Sequence, residues 1–76
     1  MPTSLLLILT TAPDRETATL LAKSLVEQRL AACVNILPQA TSVYEWEGKL
    51  ELSDESLLLI KSTQENYTAV ETALRA

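Results

Sequence analysis

Seventy-six residues carry six Lys+Arg against ten Asp+Glu, no histidine and one cysteine. A chain this short forms one domain, residues 1–76, and buries only about 60% of its unfolded surface, so it needs a staple. The single Cys33 excludes an internal disulfide and, with no histidine, a closed Cys₄ or Cys₂His₂ zinc site; the net charge of −4 argues against nucleic acid, and partner subunits remain as the staple.

The run Leu5–Leu9 is apolar but short. Spanning a bilayer takes about 20 such residues, and a secretory signal needs a basic segment that Met1-Pro2-Thr3-Ser4 lacks. The expectation is a strand over Thr3–Thr10, buried and covered on both faces because the run does not alternate. No stable membrane association is expected. One unpaired thiol suits a reducing compartment, so the expected location is cytoplasmic.

Thr11-Ala12-Pro13-Asp14 reads as a helix start, with Thr11 and Asp14 at capping-box spacing and Pro13 in the first turn. Ala18, Leu21, Ala22, Leu25 and Val26 recur at helical spacing, and Gln28-Arg29-Leu30 closes the helix with Arg29 at its negative end. Small and β-branched residues then predict a strand over Ala32–Leu37, interrupted by Pro38 at an edge or a bulge. Val43–Glu47 resumes the strand. Gly48, the only glycine, is placed to supply the positive φ of a hairpin turn. Lys49–Leu52 alternates, Ser53–Ser56 reads as a polar break with a bulge, and Leu57–Ile60 as a second fully buried strand. Ser62 or Thr63 caps a second helix with Glu65 in its first turn, Tyr67, Val70 and Leu74 on one face and Arg75 in its last turn.

The order is β-α-β-β-α, which is the ferredoxin-like βαββαβ unit without its closing strand. An unclosed sheet leaves an apolar strand at an edge, where it pairs with other chains. The unit therefore either completes its sheet by strand exchange or belongs to something longer.

Arg29-Leu30-Ala31-Ala32-Cys33-Val34-Asn35-Ile36 and Ser42-Val43-Tyr44-Glu45-Trp46-Glu47-Gly48-Lys49-Leu50-Glu51 resemble the CutA family of divalent-cation-tolerance proteins. Glu55–Lys61 is similar to that family's E-x-x-x-x-x-K segment, and the resemblance spans essentially the whole chain. It implies an α+β, ferredoxin-like sandwich of the PII type with a long β-hairpin, assembled as a homotrimer in which hairpin strands of neighbouring subunits pair. It also implies a link to copper or another divalent metal ion. The chain departs from the family in having Ser62 where threonine is usual, and in lacking the family's C-terminal portion, which includes the closing strand and a histidine.

Cys33 is the one soft donor, suited to Cu(I); the alternative is a small buried core residue. Glu45 and Glu47 sit at period-two spacing, so they are expected on one strand face as hard donors for a divalent ion; the alternative is a solvated face that discourages aggregation. Tyr44 and Trp46 share the other face and are expected at a subunit interface. Arg29 and Lys61 are candidate cleft residues, or cations at element ends in water. No catalytic constellation is present: there is no histidine, no nucleophile with an evident base and no glycine-rich phosphate loop. The reading is a non-enzymatic, metal-linked trimer. The alternative is a PII-like small-molecule-sensing or scaffolding trimer in which metal binding is incidental.

Overall fold

A computed structural model describes residues 4–75, so the expected start of the first strand at Thr3 and the final Ala76 lie outside the described residues. The elements run β1 (Leu5–Ala12), α1 (Arg15–Glu27), β2 (Cys33–Trp46), β3 (Lys49–Thr63) and α2 (Tyr67–Arg75). Among the described residues the strands form one antiparallel sheet in the order β1-β3-β2. This is the α+β, ferredoxin-like arrangement expected from the element order.

Burial alternates along the central strand, and that alternation defines two faces. Leu58 and Ile60 of β3 are fully buried against Ala18, Ala22 and Leu25 of α1 and Val70 of α2. Ile8, Val34 and Ile36 of the flanking strands pack on the same side. Leu5, Leu7, Leu9 and Leu37 lie on the opposite, open face and are exposed. The apolar runs Leu5–Leu9 and Leu57–Ile60 were expected to be covered on both faces; in this chain the helices cover one.

Helix α1 starts one turn later than the Thr11 pattern suggests. Thr11 belongs to β1, which pairs with β3 as far as Ala12 opposite Ser56. Asp14 is the cap: its backbone is extended (φ −151°, ψ 172°) and its side chain accepts a 2.7 Å hydrogen bond from the Thr17 amide. That bond holds the Asp14 carboxyl below the usual carboxylate range. The far end closes without glycine. Arg29 takes a left-handed conformation at φ 60°, its amide donates to the Val26 carbonyl at 3.0 Å, and the Leu30 amide donates to the Leu25 carbonyl at 2.9 Å. These two bonds make a Schellman cap with arginine in the position glycine usually fills.

β2 and β3 are each longer than expected. β2 continues through Pro38 to Trp46, and the interruption is a bulge between Leu37 and Ala40 with Gln39 at φ 62°. The bulge expected in Ser53–Ser56 is not there. β3 is continuous, and those polar residues pair with β2 or β1. Nor do Ser62 or Thr63 cap α2. β3 runs through both, residues 64–66 turn, and the Asn66 carbonyl accepts the first helical bond from Val70 at 2.9 Å. Glu65 therefore precedes the helix, while Arg75 lies in its last turn as expected.

Beyond Ala12 and Ser56 only β2 and β3 remain paired, and they project as a two-stranded arm. The arm stretches the molecule to 48 × 23 × 20 Å. Trp46-Glu47-Gly48-Lys49 closes it, with Glu47 at φ 51° and Gly48 at φ 77°. Two successive positive φ values make a type I′ turn, whose twist matches that of the strands.

Candidate functional site

The start of β2 is fixed by a corner where both helix connections meet. The Ser62 hydroxyl donates to the Leu30 carbonyl at 2.5 Å, and the Asn66 side-chain amide donates to the Arg29 carbonyl at 3.4 Å. The Ala32 amide donates to the Lys61 carbonyl at 2.9 Å. This registers Cys33 directly opposite Lys61 across the β2–β3 ladder, on the open face.

Both side chains are exposed, and both line a groove of about 530 Å³ with Leu5, Leu6, Leu7, Ala32, Ser62 and Thr63. The groove is mostly apolar, with one cation and one thiol. The Cys33 sulfur lies 4.0 Å from the Asn35 side-chain oxygen. Exposure removes the buried-core reading of Cys33 within this chain. Lys61 lines this groove and Arg29 does not; the Arg29 backbone shapes the corner while its side chain is exposed.

The carboxylates are elsewhere. Glu45 lies opposite Leu50 near the arm's end. Glu47 is in the turn, not on the strand, so the two do not share a strand face through alternation. Cys33 and Glu45 stand at opposite ends of β2, roughly 40 Å apart along extended chain. Among the described residues, no three Cys, Asp or Glu side chains come together as a metal site. Tyr44 and Trp46 do share a face, opposite Glu51 and Lys49, and are 46% and 63% exposed.

Sequence reasoning passed over one polar contact. Glu55, at the base of the arm, accepts a hydrogen bond from the Thr11 hydroxyl at 3.3 Å and another from the Ser42 hydroxyl. Three polar residues on three strands give no sequence signal until the register is known.

A family model described as CutA1 divalent ion tolerance protein matches residues 6–76. The chain belongs to the CutA1 divalent ion tolerance family. It is 54% identical over 68 residues to the divalent-cation tolerance protein CutA of Pectobacterium atrosepticum, covering 90% of this chain and 62% of that protein. It is 51% identical over 59 residues to the chloroplastic CutA of Arabidopsis thaliana, covering 78% of this chain and 32% of that one. Its fold matches the periplasmic divalent cation tolerance protein CutA of Archaeoglobus fulgidus with a TM-score of 0.89 at 39% identity, covering 93% of this chain and 69% of that one. The chain thus spans less than two thirds of either curated CutA relative. Among the described residues no helix is long and apolar enough to cross a membrane. Of these relatives, one is named chloroplastic and another periplasmic.

Proposed function

We propose that this chain works in divalent-cation tolerance as a homotrimer, without catalysis, and that copper or another divalent metal ion is what it handles. The observation that carries the trimer is the open sheet face. Leu5, Leu7 and Leu9 are 81%, 59% and 60% exposed, in line with one another on β1. Contiguous apolar surface of this kind marks a contact with another protein surface, and copies of the same chain are the partner proposed for it.

The donor set supports a shared metal site rather than one inside a single chain. Cys33 is exposed on the same open face, and a thiolate favours Cu(I). One thiol cannot close a site alone, so subunits meeting through this face would each bring one. Glu45 and Glu47, at the arm's end, would act on a separate ion. Cytoplasmic residence belongs to the same proposal, since a free exposed thiol persists in a reducing compartment.

The test is calorimetric titration of the protein with Cu(I), under reducing conditions, alongside sedimentation. Tight binding in a fixed ratio to trimer, lost in Cys33→Ser, is the expected result. Weak binding that ignores Cys33→Ser overturns the metal assignment. A second reading rests on the groove beside Lys61, whose apolar walls and single cation suit a small anionic molecule with an apolar part. It makes the chain a PII-like sensing trimer, and Lys61→Ala rather than Cys33→Ser would then abolish ligand binding.

A further inference from the structure

The step from three strands to two happens at one place. The last pair joining β1 to β3 is Ala12 with Ser56, and the next residue of β3 toward the arm is Glu55. On the other side of β3 the ladder is broken at the same level. Leu37 pairs with Leu57 and Ala40 with Glu55, so Pro38 and Gln39 together span the single residue Ser56. Pro38 has no amide to give to the ladder, and Gln39 is held at φ 62°. Backbone pairing is therefore weakest where the arm leaves the body, and a bulge lets a strand bend.

Glu55 crosses that weak point with its side chain. Thr11 is two residues along the open face on the body side, since its register partner is Leu57. Ser42 is two residues along on the arm side, opposite Ser53. One carboxylate oxygen accepts from the Thr11 hydroxyl and the other from the Ser42 hydroxyl. Hydrogen bonds to an ionised acceptor are the stronger kind. Glu55 is half-buried, and a carboxylate with both oxygens engaged across three strands resists rotation of the arm about the bulge.

We infer that Glu55 is a latch: its carboxylate ties Thr11 of β1 to Ser42 of β2 across the Pro38–Gln39 bulge and sets the direction in which the arm leaves the body. The latch acts within one chain, so it holds whatever the subunit number. It makes the arm's direction a property of three side chains rather than of the backbone ladder alone. Loss of either hydroxyl frees one side, and loss of the carboxylate frees both.

Amide hydrogen exchange, resolved by residue on the full chain, tests this. In Glu55→Ala, amides of Ala40–Val43 should exchange about tenfold faster or more, while those of Leu58 and Ile60 at the body's centre keep their wild-type protection. Ser42→Ala, which removes only the arm-side bond, should raise exchange over the same residues by a smaller factor. Glu55→Gln should be close to wild type, because its amide oxygen accepts from one hydroxyl and its amide hydrogens donate to the other. Wild-type exchange at Ala40–Val43 in both Glu55→Ala and Ser42→Ala overturns the latch. An equal rise at Leu58 and Ile60 does so too, because it reports loss of the whole fold. Sedimentation of the same samples reads the trimer separately.

Discussion

Cys33 and Tyr44 face the same side of β2, although an odd number of positions separates them. Cys33 lies opposite Lys61 and Tyr44 opposite Glu51, and β3 between those two is regular. A regular β2 would have put them on opposite faces. The extra residue at the Pro38–Gln39 bulge reverses the alternation, so the thiol, the open apolar face and the aromatic pair all look the same way.

Deleting Gln39 tests this directly. Without the extra residue the ladder becomes regular, and every arm side chain beyond it changes face. Tyr44 and Trp46 would move to the side that Val43 and Glu45 now occupy, and those two would move to the open side. The expected outcome is loss of self-association in sedimentation, with the body's cooperative unfolding retained in urea. An arm that keeps its assembly after the deletion would mean that the facing of Tyr44 and Trp46 does not matter to it.

Arg29→Gly should stabilise the chain. A non-glycine residue in the left-handed region costs about 1–2 kcal/mol, against roughly 0.4–1 kcal/mol of extra chain entropy that glycine brings to the unfolded state. The expected net gain is about 0.5–1 kcal/mol, read from the urea midpoint. Arg29 does not line the groove beside Lys61, so ligand titrations should be unchanged. A loss of stability would show that the Arg29 side chain makes a contact its exposure does not reveal.

Much of this was legible from the residues, and what was not has a common cause. The face of α1 follows from Ala18, Ala22 and Leu25, and the turn from Gly48, because periodicity and positive φ are local. Pro38 announces a bulge for an equally local reason. The helix cap falls three residues later than the sequence places it, because Thr11-Ala12-Pro13-Asp14 has capping-box spacing while β1 pairs past Thr11 to Ala12 and leaves Asp14 as the cap. Ser53–Ser56 looked like a break because polar residues in a strand suggest one, yet each has a ladder partner that no local pattern shows. Glu47 was assigned to a strand face because alternation does not say where a turn begins. The Thr11–Glu55–Ser42 contact needs the register of all three strands.

Acid should weaken α1 first at its start. The Thr17 amide bond lowers the Asp14 carboxyl in the folded chain. A group whose folded pKa is depressed contributes stability above its unfolded pKa, about 3.9 for Asp, and loses it as pH falls through the folded value. Melting temperature should therefore drop between about pH 4 and lower values in wild type, and less so in Asp14→Asn. Asp14→Ala should melt lower than wild type at neutral pH, with Asp14→Ser restoring most of the difference. Identical acid profiles for wild type and Asp14→Asn would remove Asp14 from the account.

Trp46→Ala should weaken assembly while leaving the fold of the single chain intact. Trp46 stands beside Tyr44 on one face of the arm, 63% exposed and remote from the core around Leu58 and Ile60. Its indole therefore contributes little to the chain's own stability. Tryptophans that anchor interfaces typically cost about 2 kcal/mol or more when truncated, which is roughly a 30-fold weaker association per contact. Sedimentation velocity over a dilution series should show the variant dissociating at concentrations where the wild type stays assembled. Glu47→Ala, in the adjoining turn, is the control and should sediment like wild type. If Trp46→Ala keeps the wild-type assembly at every dilution, the aromatic face of the arm is not a subunit contact, and the open face of Leu5, Leu7 and Leu9 would have to hold the proposed trimer without it.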